Sequence, residues 1–450
     1  MKKSFKLLFL VVFTIICTLI FTSCGNSDGS DENSVPNNDG KTIVLNVFNW
    51  GEYISDGFEG SLDTVADFED YYYEKFGKKI KVNYSTYATN EDMYSKLKSG
   101  AGSYDIVIPS DYMIDKMIKE DMLIPFDATT IENYGNIDEQ FKNLYFDPNN
   151  MYSVPYTYGM LGIIYNKALV DEEDYKNESW DLLWNEKYRG KILQFNNPRD
   201  AFASAMYFEG IDVNSKNPED WNKALNKLIE QKPLIQGYVN DEIFNKMTTA
   251  SAAIAPYFAG DFITMAADNE DLAFYYPKEG SNFFVDSMCI PKSSKNPEAA
   301  KEFINYMLSE KPAIANATYI GYASPNKIVR NLVEDETPDE YTDAICEYTP
   351  DAVQILYGKT PDEVNANYKF NPCYESFSTE IQEHTNTLWE SLKTENSTEL
   401  WVHITTAVIV VAVISLAVYT VVIEKIRSKD YRMRDKIKKQ QKNRIQKEIL

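Results

Sequence analysis

TIVLNVF (42–48), KIKVNY (79–84) and DIVIP (105–109) are three short apolar runs, and the stretches between them decide the fold. In the second run Ile80, Val82 and Tyr84 fall on one face, the period of a strand. Between the runs, Asp63 to Phe76 reads as a helix, and Asn90 to Ser99 as another, opened by an Asn cap. After Pro109, Asp111 to Glu120 returns to helical spacing. Strand and helix in strict alternation predict a largely parallel sheet with helices on its faces, an α/β fold.

The same alternation continues outward. Lys191–Phe195, Ser251–Phe258 and Leu272–Tyr276 read as strands. Asn217-Pro218 precedes Trp221, Leu225, Leu228 and Ile229, and Asn296-Pro297 precedes Ala300, Phe303, Ile304 and Met307. Thr337-Pro338 and Thr360-Pro361 repeat the pattern of a polar cap followed by Pro at the first helical position, a strong helix start. Some 360 residues in this style exceed one compact layer, so two α/β lobes with a cleft between them are expected.

The ends differ from the middle. Lys2, Lys3 and Lys6 precede the apolar run Leu7–Phe21 and then Thr22-Ser23-Cys24, the build of an export signal over 1–23. A cysteine directly after small residues resembles a bacterial lipoprotein box with Cys24 as the lipidated residue; plain secretion is the alternative. Residues 25–40, rich in Ser, Asn, Asp and Gly, read as a flexible tether. Trp401 to Ile423 carries no Asp, Glu, Lys or Arg, and 424–450 has a net charge of +7. These features predict a transmembrane helix at 401–423 and a basic cytoplasmic tail, placing the chain at the extracytoplasmic face of the cell membrane.

The whole chain carries −23, and residues 25–400 alone carry −33. That excludes a nucleic-acid binder, which needs a basic footprint. Only His384 and His403 are present, which leaves little for a zinc or Ser-His-Asp enzyme. Beyond Cys17 and Cys24, the cysteines are Cys289, Cys346 and Cys373, with no metal-type spacing. They allow at most one bridge, Cys346 to Cys373, or three buried small hydrophobes. No metal, cofactor or catalytic group is expected. An acidic chain with 32 Tyr and 23 Phe reads as a binder of cations.

In open α/β sheets, ligands bind beyond the carboxyl ends of strands. The strand ends here are Trp50-Gly51-Glu52-Tyr53, Ser110-Asp111-Tyr112, Asn197-Pro198-Arg199-Asp200, Tyr257-Phe258-Ala259-Gly260-Asp261 and Phe284-Val285-Asp286. Most pair an aromatic ring with a carboxylate, the combination a desolvated ammonium requires. At any one of them a packed ring beside a solvated acid is the bland alternative; recurrence at successive ends argues for a shared cleft.

These stretches, with Phe48-Asn49-Trp50-Gly51-Glu52-Tyr53, Tyr104-Asp105-Ile106-Val107-Ile108-Pro109-Ser110, Tyr152-Ser153-Val154-Pro155-Tyr156, Trp184-Asn185-Glu186-Lys187-Tyr188-Arg189-Gly190 and Tyr276-Pro277-Lys278-Glu279-Gly280, resemble the extracytoplasmic spermidine/putrescine-binding proteins of bacterial ABC transporters. The resemblance spans roughly 42–395. It implies a two-lobed periplasmic-binding-protein-like fold, with lobe 1 at 41–155 plus about 284–330 and lobe 2 at 156–283 plus about 331–395. It implies a polyamine in the interlobe cleft, permease subunits as partners, and no catalysis. The ligand-binding positions it implies are Trp50, Glu52, Tyr53, Ser110, Asp111, Tyr112, Asn197, Asp200, Tyr257, Phe258, Phe284, Asp286, Tyr322 and Glu375. The family pattern has an Asp where Asn197 stands, a Glu where Asp200 stands and a Gln where Glu375 stands. The competing readings are a same-fold receptor for an iron complex, an amino acid or a sugar, and, with least support, a carboxylate-pair glycosidase.

Overall fold

The three apolar runs form strands in the expected places: β1 (Ile43–Trp50), β2 (Ile80–Tyr87) and β3 (Ile106–Val107). The structure is a computed structural model that describes residues 42–334, 339–394 and ten residues between 406 and 423. The chain divides into two compact units, Met1–Thr42 and Ile43–Leu450. Everything below concerns the second. The signal, Cys24 and the tether lie outside the described residues.

Helix α1 (Thr64–Phe76) starts where Asp63 accepts a hydrogen bond from the Ala66 amide at 3.0 Å, and it stops at Gly77. Helix α2 (Asn90–Ser99) is capped by Thr89, whose hydroxyl accepts from the Asp92 amide; the cap is therefore Thr89, and Asn90 sits inside the helix. Helix α3 (Asp111–Lys119) follows β3. Later elements are β4 (Ser153–Asn166), β5 (Ile192–Phe195), β6 (Ile235–Val239), β7 (Ile254–Phe258), β8 (Leu272–Tyr275) and β9 (Phe283–Cys289). Helices α5 (Pro218–Gln231) and α6 (Pro297–Met307) begin at the expected Asn-Pro pairs, and α4 (Pro198–Phe208) begins at a further one, Asn197-Pro198, directly after a strand end. Thr360 and Glu363 cap each other at the Thr360-Pro361 start. Thr337-Pro338 lies outside the described residues.

Among the described residues nine strands form one continuous sheet, ordered β2-β1-β3-β9-β4-β7-β5-β6, with β8 beside β4. The outer pairs are parallel, as expected, but β9, β4, β7 and β8 meet antiparallel. The centre therefore departs from the largely parallel sheet that the opening alternation predicted. Strand β4 joins the two halves: Ser153 to Met160 pairs with β9, and Leu161 onward pairs with β7 and β8.

Two hydrophobic cores lie on either side of that junction. One gathers Leu45, Phe48, Ile106, Val154, Tyr156, Phe284, Met288 and Phe303. The other gathers Met160, Leu161, Trp180, Phe195, Phe202, Trp221 and Tyr257. Gly159 sits at the change-over, where an added Cβ would lie 2.9 Å from the Phe284 ring. Only a residue without a side chain lets the ring close over β4 there.

The expected transmembrane helix at 401–423, and the membrane location built on it, must be corrected. No helix among the described residues is long and apolar enough to cross a membrane. The rest of the proposed span and the tail at 424–450 lie largely outside the described residues. Cys289, Cys346 and Cys373 are free thiols, so the Cys346–Cys373 bridge is not made.

Candidate ligand cleft

The carboxyl ends of the strands open into one cavity holding about 900 Å³ of empty space, its mouth included. Trp50, Tyr53, Ser110, Asp111, Tyr112, Asn197, Asp200, Tyr257, Phe258, Phe284, Asp286 and Tyr322 all line it. Two expected residues do not. Glu52 is exposed and its backbone turns through the left-handed region (φ 50°), which directs its neighbours Gly51 and Tyr53 to the cavity instead. Glu375 is exposed; its carbonyl accepts from Arg199 and its amide donates to Asn214, so it fixes a loop, and the adjacent Tyr374 lines the cavity.

Sequence reasoning missed Glu91, Asp241 and Asn282 and left Asp261 out of the site. Glu91 follows β2 and Asp241 follows β6, so the strand-end rule applied to those two strands finds both. Among the described residues six carboxylates and ten aromatic rings line the cavity, and no Lys, Arg or His does.

Each wall is set by a small hydrogen-bond network. The Trp50 indole and the Tyr87 hydroxyl both donate to the Ile108 carbonyl, at 2.9 and 2.7 Å, which fixes the Trp50 ring at the rim. Tyr53 donates to Asp286 Oδ2 at 2.7 Å and contacts Thr157 Oγ1. Asp286 Oδ1 is buried with no partner. Burial pushes its carboxyl up to about 6 from an ordinary 3.8, and the Asp200 charge adds to this. Burial holds Asp111 well above the usual carboxylate range, with repulsion from Asp286 in the same direction. Tyr322 donates to Asp261 at 2.8 Å, yet burial still pushes Asp261 up to about 8, helped by Asp241 and Glu52.

The opposite wall is better satisfied. Asn197 caps α4 by accepting from the Asp200 amide at 2.8 Å, and its side-chain NH₂ donates to Asp200 Oδ2 at 2.9 Å. Tyr374 donates to Asp200 Oδ1 at 3.0 Å, and Tyr112 to Glu91 Oε1 at 3.0 Å. Behind them the Arg199 guanidinium is buried against the Phe377 and Tyr374 rings, 3.7 and 4.2 Å from their centroids. Gly51 meets Asp241 at the mouth: an added Cβ would lie 2.6 Å from Asp241 Oδ2. Among the described residues no cluster of His, Cys, Asp and Glu is arranged to hold a metal ion.

Chemically, such a lining can accept hydrogen bonds from a cation and cover methylenes with rings. The family described as bacterial extracellular solute-binding protein matches residues 64–344. The chain belongs to that family. Its members bind solutes and do not catalyse reactions. The chain is 34% identical over 326 residues to the spermidine/putrescine-binding periplasmic protein of Escherichia coli K12, covering 72% of this chain and 88% of that one. It is similar to the solved spermidine/putrescine ABC transporter substrate-binding protein PotD of Streptococcus pneumoniae, at 34% identity and a TM-score of 0.60, covering 78% of this chain and 99% of that one. It is also similar to the TpPotD lipoprotein of Treponema pallidum, at 25% identity and a TM-score of 0.60, with 78% and 99% covered. The Escherichia coli relative is named for the periplasm, which accords with an extracytoplasmic receptor and gives no support to the expected C-terminal span.

Proposed function

We propose that the chain captures a polyamine, spermidine or putrescine, in this cleft and hands it to the permease of an ABC transporter. The observation that carries the reading is the lining: six carboxylates and ten rings with no basic side chain. An amino acid or an anionic iron complex needs a cation for its carboxylate or negative charge, and a neutral sugar leaves buried acids unpaired. The names of the relatives point the same way.

In this reading Asp286 and Asp111 hold one ammonium, and Asp200 and Glu91 hold a second. Trp50, Tyr53, Tyr257, Phe258 and Phe284 cover the methylenes, with Ser110, Tyr112, Asn197 and Tyr322 completing the wall. Lobe 1 (41–155 with about 284–330) and lobe 2 (156–283 with about 331–395) close over the ligand. Export by residues 1–23, with Cys24 lipidated, is part of the proposal; it rests on the basic and apolar runs before Cys24. The test is calorimetry of the purified protein against spermidine, putrescine, lysine, glucose and a ferric citrate complex. Saturable binding of the polyamines alone supports the reading; binding of any other compound with no polyamine response defeats it.

A further inference from the structure

The two cores are joined a second time, away from β4. Helix α3 is seated on the first core by Met113, Ile114 and Met117, and the Tyr145 ring meets Phe146 of that core edge-on at 5.3 Å. The segment 374–377 belongs to the second core: Tyr374 is buried in it and Phe377 packs against it. Across the gap Tyr145 donates its hydroxyl to the Tyr374 carbonyl at 2.6 Å. Ser376 donates to Asp115 Oδ2 on α3, and Lys119 donates to Ser376 Oγ at 3.1 Å while pairing with the same Asp115 oxygen. Asp115, Lys119, Tyr145 and Ser376 are not among the residues that line the cavity.

On its own side the segment is held firmly. The buried Arg199 guanidinium lies against the Phe377 and Tyr374 rings and donates to the Glu375 carbonyl at 3.3 Å. Asn214 accepts from the Glu375 amide and donates to the Cys373 carbonyl, both at 2.8 Å, and the Tyr207 hydroxyl donates to the Pro372 carbonyl at 2.8 Å. The attachment to the first core is of another kind. It consists of two hydrogen-bonded points made by side chains, with the Tyr112 ring edge-on to Tyr374 at 5.9 Å. Tyr145 itself is 49% exposed. A side-chain hydrogen bond that competes with water is worth a few-fold in an equilibrium, so it can be made and broken repeatedly, whereas the β4 ladder stays intact in any folded state.

We infer that Tyr145 and Asp115 are positioning residues of the ligand cleft: they hold the segment 374–376 as a strap between the two cores, and the strap sets how long a bound polyamine stays. The inference rests on the polyamine reading above and adds to it a kinetic role for residues outside the cavity. Tyr374 links the strap to the site, because it lines the cavity and donates to Asp200 while its carbonyl is held by Tyr145. With the strap made, the cores cannot part at this edge without breaking both points. With one point removed they part more often, and the ligand leaves through the gap.

The test is the release of radiolabelled spermidine after a chase with excess unlabelled spermidine, on the unaltered protein, on Tyr145→Phe, on Ser376→Ala and on the pair together. Tyr145→Phe removes the hydroxyl alone, and Ser376→Ala removes the group that Asp115 holds. Each is expected to speed release about fivefold, the loss of one hydrogen bond, and the pair more than either, with association not slowed. Either single variant decides the question if the other does not fold, and faster release in one alone assigns the strap to that point. Release at the unaltered rate in both, as bonds that serve only the fold would give, overturns the strap while the polyamine reading stands. Weaker binding that comes wholly from slower association overturns it as well. If the unaltered protein retains no spermidine, the polyamine reading fails and takes this inference with it.

Discussion

Asp286 and Asp200 face the same cavity, and both carboxyls are pushed upward by burial, yet they are in opposite states. Asp200 has a donor on each oxygen, from Asn197 and Tyr374. Asp286 takes a hydrogen bond from Tyr53 on Oδ2 and makes none at Oδ1, with the Ser110 hydroxyl close enough to favour its ionised form. A satisfied acceptor gains little from a new donor, because an old bond must be shared or displaced. An open one regains the whole of what its desolvation cost. Acids in a cleft are therefore not interchangeable, and their value to a ligand is read from the bonds they lack.

The largest effect expected is at the open acid. Asp286→Asn should weaken polyamine binding about a hundredfold, because the ligand ammonium stays buried without its counter-charge. Trp50→Ala comes next, at about 1–3 kcal/mol of binding from lost methylene cover and cation–π attraction. Its indole fluorescence should also respond to ligand in the unaltered protein, and a silent Trp50 would mark the ring as packing. Asp200→Asn should cost about tenfold or less, since the Tyr374 hydroxyl keeps an acceptor. Calorimetry on the two Asp variants side by side decides the comparison: equal losses would show that the bonds around Asp200 do not set its worth.

The last expected effect is on pH. Asp286 at about 6 and Asp261 at about 8 both lie above their ordinary 3.8, so between those values the folded chain holds protons that the unfolded chain has released. Stability of the ligand-free protein should fall as pH rises from 5 to 8, and Glu91, Asp111 and Asp200 act in the same direction. Surface acids held low by partners, such as Asp67, Glu120 and Asp220, act below about 4.5, outside that window. An ammonium stabilises the ionised carboxylates, so polyamine affinity should climb over the same range. Thermal unfolding with and without spermidine at pH 5 and pH 8 measures both. A ligand-free midpoint that rises with pH would contradict the assignment of buried, raised acids.

Much of this was legible in the residues. β1, β2 and β3 announce themselves by apolar runs, and the Asn-Pro and Thr-Pro pairs mark helix starts by a rule local to two residues. Twelve of the fourteen expected positions meet in the cavity because strand ends converge in any open α/β sheet. β4 was hidden. SVPYTYGMLGIIYN contains Pro155 and Gly159, which read as breaks. Pro155 sits beside a register shift, where a missing N–H is tolerated, and Gly159 makes room for a ring contributed by a residue 125 positions later. No local pattern carries that partner. Glu52 was misplaced for a similar reason: a left-handed turn at one residue sends its side chain outward, and nothing in Trp-Gly-Glu-Tyr states the turn. The C-terminal span was read from length and charge alone, and among the described residues no helix is long and apolar enough to cross a membrane.

The strand shared by both cores has a mechanical consequence. If the cores rock against each other, β4 and β9 are the axle, and a side chain moves in proportion to its lever arm from it. Phe284 and Asp286 lie on β9 itself, while Trp50, Asp200 and Asp241 belong to other elements. A bound cation would keep its grip at Asp286 through the whole swing as its outer contacts are made and broken. Release to a transporter then becomes a matter of prying the arms apart, with the last hold left on the part of the molecule that barely turns.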